Sequence, residues 1–290
     1  MGAIPTLKLV RERKIGELLS CDKPKTRWEA SGVLVKDGAY FVVFDDRTEI
    51  ACISADLEPG ANGLFGMAEE ITGYEGITYN AASQRFYLLV EARKHADGQY
   101  QAVLVEYDDE FAYLKSRPLD FPFKSDNKGF EAVAYVNRDG VDYVLGLCEG
   151  NKCKCGKKGR EPGGGRVQLF EKRKKSWRHV GTIALPTTLP FVDYSGMSID
   201  NGRVAVVSQV NSLLWVGQFD EASWNWRNDG QLYEFPRSED GAITYGNIEG
   251  VAWLSPTRVV TVSDRRKKSM QADKSLSEKD QSVHIFEIPE

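Results

Sequence analysis

Five short segments of this chain begin alike, and their spacing restricts the fold more than any other feature. Each opens on Ser or Glu, continues with a small residue and then alternates apolar positions: Ser31-Gly32-Val33, Glu75-Gly76-Ile77, Glu131-Ala132-Val133, Ser195-Gly196-Met197 and Glu249-Gly250-Val251. The starts lie 44, 56, 64 and 54 residues apart, which is room for a four-stranded antiparallel unit plus variable loops. Turn signals follow each start, then a second, almost continuously apolar run such as Tyr40 to Phe44, Arg85 to Val90 or Val204 to Ser208. Runs of that kind are strands buried on both faces. The sequence therefore predicts an all-β fold: a five-bladed β-propeller spanning residues 1–290 as one domain, with blades starting near 31, 75, 131, 195 and 249. Sandwiches and jelly rolls do not require a start repeated five times.

The last blade runs out of chain after its third strand, Ser282 to Ile288, while residues 7–19 precede the first blade. The reading places residues 7–19 as the outer strand of the last blade, covering an edge otherwise open to pairing. Gly150 to Gly165, Pro186 to Pro190 and Lys267 to Asp280 read as mobile surface loops, and their lysines as solvated charge.

A net charge of -4 offers no basic field for nucleic acid, and no apolar run is long enough to cross a membrane. Lys8, Arg11, Arg13 and Lys14 interrupt the N-terminal segment, so it does not read as a signal peptide. The default expectation is a cytoplasmic protein, or an exported one if the chain is a processed fragment. Five cysteines are too few for a disulfide scaffold. Cys148, Cys153 and Cys155 lack the paired spacing and the fourth ligand of a zinc site, and read as free thiols on a strand and a loop.

The first strand of each propeller blade lines the central channel. Ser31, Glu75, Glu131, Ser195 and Glu249 then form a ring of oxygens, and three carboxylates in one narrow channel call for a cation. Calcium accepts six to eight hard oxygens in flexible geometry, whereas magnesium demands an octahedron and zinc prefers nitrogen or sulfur. The alternative is that the glutamates accept backbone N–H bonds from neighbouring blades and the glycines permit tight turns. The ends of the second strands return to the same channel mouth, bringing Asp45, Asp46, Arg47, Glu91, Arg93, Lys94, Lys152, Arg265 and Arg266. A cation, carboxylates and an Arg/Lys rim together suit a small phosphorylated ligand.

On these residues the chain resembles the calcium-activated nucleotidases, or soluble apyrases. The ring order Ser31, Glu75, Glu131, Ser195, Glu249 and the stretch Asp45-Asp46-Arg47-Thr48 are similar to that family's pattern. The resemblance implies a five-bladed propeller with one central calcium that hydrolyses phosphoanhydrides, with nucleoside diphosphates as substrate, Asp46 as the catalytic acid and Arg47 beside it. Arg93-Lys94 is a loose counterpart of the family's Arg-rich stretch, and the family's longer acidic loop is absent. The competing expectations are a non-catalytic, calcium-stabilised propeller that binds a partner or ligand, and an esterase-like or phytase-like propeller hydrolase.

Overall fold

The computed structural model describes residues 3–20, 27–66, 71–94, 98–124, 129–220, 223–265 and 279–289. Apart from two four-residue helices and one turn of 3₁₀ helix, its regular structure is β. Strand β1 (Lys8–Lys14) leads into α1 (Ile15–Leu18). One four-stranded sheet follows: β2 (Ala30–Lys36), β3 (Ala39–Phe44), β4 (Ile50–Ser54) and β5 (Gly63–Phe65). Next come β6 (Tyr74–Asn80), β7 (Arg85–Lys94), β8 (Tyr100–Tyr107) and β9 (Tyr113–Phe123), then β10 (Phe130–Arg138), β11 (Val141–Cys148), β12 (Arg166–Lys172) and β13 (Trp177–Ala184). These eight form one sheet, whose two antiparallel halves meet only at the parallel pairing Trp177–Leu119. Helix α2 (Gly156–Gly159) lies in the β11–β12 connection. The remaining strands are β14 (Gly196–Asp200), β15 (Arg203–Ser208), β16 (Leu213–Gln218) and β17 (Gln231–Glu234), then β18 (Ile248–Ser255), β19 (Arg258–Ser263) and β20 (Ser282–Glu287).

The first strands of these units pack in a cycle, β2 on β6, β6 on β10, β10 on β14, β14 on β18 and β18 back on β2. The arrangement is propeller-like. Contacts between the inner strands explain the recurring glycines. A methyl group at Gly32 would lie 2.9 Å from Gly76 Cα, one at Gly76 3.1 Å from Val133 N, one at Gly196 2.7 Å from the Glu249 carbonyl, and one at Gly250 2.9 Å from Gly32 Cα. Glycine is needed here for backbone-to-backbone approach around the axis, and the turn reading is corrected accordingly.

Strand β1 pairs antiparallel with β20, from Lys8–Glu287 to Lys14–Ser282. The expected strand over 7–19 is shorter than read: residues Ile15–Leu18 turn into α1, which buries Ile15 and Leu18. Upstream, Leu7 donates its N–H to the Glu234 carbonyl and Glu234 donates to that of Pro5, tying the chain start to β17 as well. The β1–β20 seam holds a buried polar network. His284 Nδ1 lies 3.1 Å from Glu12 Oε2, and its Nε2 lies 3.0 Å from Ser263 Oγ. Lys279 donates to the other Glu12 oxygen. The order Ser–His–Glu resembles a hydrolase triad, but Ser263 is buried, donates to the Lys279 carbonyl at 2.7 Å and accepts the Ser282 N–H at 3.2 Å. It therefore works as a clasp on the closing strand.

Burial disfavours the Glu12 carboxylate, but hydrogen bonds from His284 and Lys279 outweigh it and hold its pKa at about 2. Burial lowers His284 despite the Glu12 bond. Both groups bind protons more weakly folded than unfolded, so their contribution is complete at neutral pH. The His284 part is lost as pH falls below about 6.5, and the Glu12 part as it falls from about 4.3 toward 2. Wild type is expected to melt above Glu12→Gln at neutral pH, by a margin that shrinks as pH falls from about 4.3 toward 2 and Glu12 takes up a proton. Melting curves showing the same margin at about pH 5 and about pH 2 would contradict the clasp.

Of the segments read as mobile, Pro186 to Pro190 is anchored by the buried Leu189, part of the core shared with Phe191 and Tyr194. Gly150 to Gly165 is likewise built into the structure, as described below. Most of Lys267 to Asp280 lies outside the described residues.

Candidate functional site: a carboxylate-lined channel and its mouth

The inner strands enclose a cavity of about 10 Å³ on the ring axis, room for about one water-sized sphere or ion. Ser31 and Glu75, Glu131 and Glu249 line it, together with the glycines and apolar residues that follow them; among the described residues no Lys, Arg or His does. Glu75 registers the convergence. Burial, and then the charges of Glu131, Asp45, Glu91 and Glu249, push its pKa well above the ordinary carboxylate range.

The two serines behave differently from the glutamates. Ser31 Oγ donates to the Tyr74 carbonyl, one residue before Glu75. Ser195 Oγ donates to the Ile248 carbonyl at 2.7 Å, one residue before Glu249. Each hydroxyl stitches its inner strand to the next, and Ser195 is not among the residues lining the cavity. Among the described residues no group of three or more His, Cys, Asp or Glu is drawn together as a metal cage. What is present is a small void lined by three glutamate residues, Glu75, Glu131 and Glu249, from three different strands. That donor set fits a hard divalent cation and does not suit zinc.

The channel mouth is built by a repeated backbone link. In four of the five units a residue at or near the end of the second strand donates its N–H to the carbonyl two residues before the ring position: Asp45 to Glu29, Glu91 within β7 to Gly73, Glu149 to Gly129 and Asp264 to Asn247. Asp45, Glu91, Glu149 and Asp264 thereby occupy equivalent places. Asp193, two residues before Ser195, adds a carboxylate that the sequence reading missed. Its own hydrogen bonds from Ser208 and Val210 lower its pKa, but burial outweighs them and the net shift is upward.

The cationic residues expected at this rim are partly spent elsewhere. Arg47 lies with its guanidinium 4.3 Å from the Trp28 ring centroid and donates to the Arg27 carbonyl at 2.9 Å. Arg93 donates to the Thr72 carbonyl at 2.8 Å, and Lys94 is exposed at the end of β7. Asp46 is exposed, 4.0 Å from Arg47. Of the Asp45-Asp46 pair, it is Asp45 whose charge reaches Glu75. Lys152 is exposed, Arg265 donates its N–H to the Asp264 carboxylate, and Arg266 lies outside the described residues.

A larger cavity of about 840 Å³ opens beside the channel, lined by Glu149, Asp193 and Asp264 and by Lys154, Lys157 and Arg160. The second trio comes from the Gly150 to Gly165 connection. Cys148 and Cys153, read as free thiols, form a disulfide, while Cys52 and Cys155 are free. Buried Asn151 donates to the Gly159 and Phe191 carbonyls and accepts from Gly164 N–H and Tyr194 hydroxyl, at 2.8–3.1 Å. Gly150 and Gly159 pack so tightly that a methyl at either would overlap the Lys154 carbonyl. The lysine- and glycine-rich composition is thus that of a pinned lip.

No family model matches the chain, and no curated protein matches it. Solved structures do. The Myxococcus xanthus glutaminyl cyclase aligns with a TM-score of 0.57 at 12% identity, covering 98% of each chain. The PQQ-bound aldose sugar dehydrogenase of Streptomyces coelicolor aligns with a TM-score of 0.52 at 12% identity, covering 96% of this chain and 98% of that one. Regucalcin of Agrobacterium tumefaciens, a calcium-binding protein, aligns at 0.52 and 10% identity, covering 99% and 96%. None of the three is a nucleotidase. At these identities the likeness concerns architecture alone, and it shows that the chain has a propeller-like fold.

Proposed function

We propose that this chain is a five-bladed β-propeller that holds calcium on Glu75, Glu131 and Glu249 and hydrolyses phosphoanhydrides at the channel mouth. The observation that carries the reading is the small cavity lined by Glu75, Glu131 and Glu249 from three inner strands, with burial and the charges of Glu131 and Glu249 raising the pKa of Glu75. The sheet order supports five blades, because the eight-stranded sheet divides at a single parallel pairing. When bound, the cation would offset the carboxylate repulsion and polarise a phosphoryl oxygen. The protein's own groups supply the rest. In this reading Asp45, rather than the Asp46 suggested by resemblance, orients and deprotonates a water; its support is the backbone link that ties Asp45 to Glu29 beside the inner strand and its charge among those raising the pKa of Glu75. Glu91, at the equivalent position of the next unit, flanks it.

A specific observation favours a non-catalytic second reading: Arg47 and Arg93 are engaged by backbone carbonyls, which leaves fewer cations to neutralise a transition state. Phosphate release from ADP separates the two. The proposal expects turnover that disappears with chelator and returns with calcium. A protein that binds calcium and releases no phosphate from any nucleoside diphosphate is a binding propeller.

A further inference from the structure

We infer that the cavity beside the channel is a binding site for a small phosphorylated polyol, with the phosphate held by Lys154, Lys157 and Arg160 and the hydroxyl groups by Glu149, Asp193 and Asp264. This inference does not rest on calcium or on hydrolysis.

Three features carry it. The cavity measures about 840 Å³, within the range of about 300–1,000 Å³ that encloses a small organic ligand. Its charges come in two sets from different parts of the chain. The carboxylates sit at strand ends around the channel mouth, two of them fixed by the backbone links of Glu149 and Asp264 and the third by the bonds Asp193 receives from Ser208 and Val210. The cations come from a different element, the Gly150 to Gly165 connection. A purely anionic ligand would meet the carboxylates, and a purely cationic one the lysines. A molecule with an anion at one end and hydroxyl donors at the other satisfies both, since each carboxylate accepts several O–H bonds and Lys and Arg bind phosphate as point charge and fork.

The third feature is rigidity. Flexible lysines on a floppy loop lose entropy when they grip a ligand. Here the loop is fastened by the Cys148–Cys153 disulfide, by four hydrogen bonds to the buried Asn151 amide, and by glycines packed against the Lys154 carbonyl. The backbone carrying the cations is already in place before any ligand arrives.

Cys155 is a built-in reporter, because it is a free, exposed thiol lining this cavity. Its alkylation by iodoacetamide is followed by peptide mass spectrometry in EDTA, with ribose 5-phosphate as the probe. Saturable protection is expected, slowing Cys155 about fivefold or more at about 10 mM probe, as for a millimolar site. The half-buried Cys52 on β4 should react at an unchanged rate. Ribose alone and inorganic phosphate alone should protect much less at the same concentration. Lys157→Ala/Arg160→Ala should weaken protection about tenfold, whereas Lys8→Ala, on the far closing strand, should not. The inference is overturned if ribose 5-phosphate leaves the Cys155 rate unchanged, if inorganic phosphate protects equally well, or if the double variant is protected as fully as wild type. Because calcium is absent throughout, failure here leaves the channel reading standing, and failure of the channel reading leaves this one standing.

Discussion

Deleting residues 1–14 is expected to abolish cooperative folding. The deletion strips β1 from β20 along its whole register and uncovers an almost entirely buried strand. It removes Leu7, 2% exposed and part of the core formed with Phe235 and Phe286; burial of such a side chain contributes about 1.5–3 kcal/mol. It also takes Glu12 from His284 and Lys279, and hydrogen bonds to a charged group contribute about 1.5–3 kcal/mol. Ladder hydrogen bonds add about 0.5–1.5 kcal/mol each. Together these rival the whole stability of a typical domain, about 5–15 kcal/mol. The truncated chain should show no sharp thermal transition and should aggregate through the exposed edge of β20. A truncated protein that remains monomeric, with the melting temperature of wild type, would show that the ring does not depend on its closing strand.

The second large effect is chemical. Under the hydrolase reading, Asp45→Asn should lower turnover of ADP by about a hundredfold or more, the loss expected when a positioned general base is neutralised. Asp46→Asn should lower it by less than about tenfold, since Asp46 lies at the surface, 4.0 Å from Arg47. Asn keeps the shape of each side chain, so both variants should melt near wild type. The opposite ranking, with Asp46 essential and Asp45 dispensable, would return the catalytic role to the residue that the family resemblance marks.

The ring was legible in the sequence because its five positions recur with the same local chemistry, Ser or Glu followed by a small residue and an alternating strand. Period-2 alternation and β-branched runs carried the strands, and the incomplete last unit pointed to its partner at the other end of the chain. What the sequence did not reveal has one physical origin: side chains whose partners lie far away in sequence. Nothing local to His284 indicates that Glu12, 272 residues earlier, is its neighbour. The stacking of Arg47 on Trp28 is likewise set by tertiary packing. The Ser31 and Ser195 hydroxyls donate to the carbonyls of Tyr74 and Ile248 on the next inner strand, contacts with no local sequence signal. The Gly150 to Gly165 segment looked mobile because lysine and glycine are common in solvated loops, and only the packing against Lys154 and Asn151 shows those glycines to be sites of close approach. Its disulfide links cysteines five positions apart, a spacing that carries no sequence signature of pairing.

The central claim is that Glu75, Glu131 and Glu249 share one calcium ion, and the direct test is calcium titration of chelator-stripped protein by calorimetry and thermal melting. The account predicts one saturable site per chain. At a hundredfold excess over Kd, calcium should stabilise the fold by about 2.7 kcal/mol, roughly a 5–10 °C rise in Tm for a domain of this size. In Glu75→Gln both the heat and the rise should vanish. In EDTA the same variant should melt above wild type, because one of the mutually repelling carboxylates has been neutralised. Wild-type protein that gives no binding heat and melts identically in calcium and EDTA, or a calcium effect that survives Glu75→Gln undiminished, would contradict the claim.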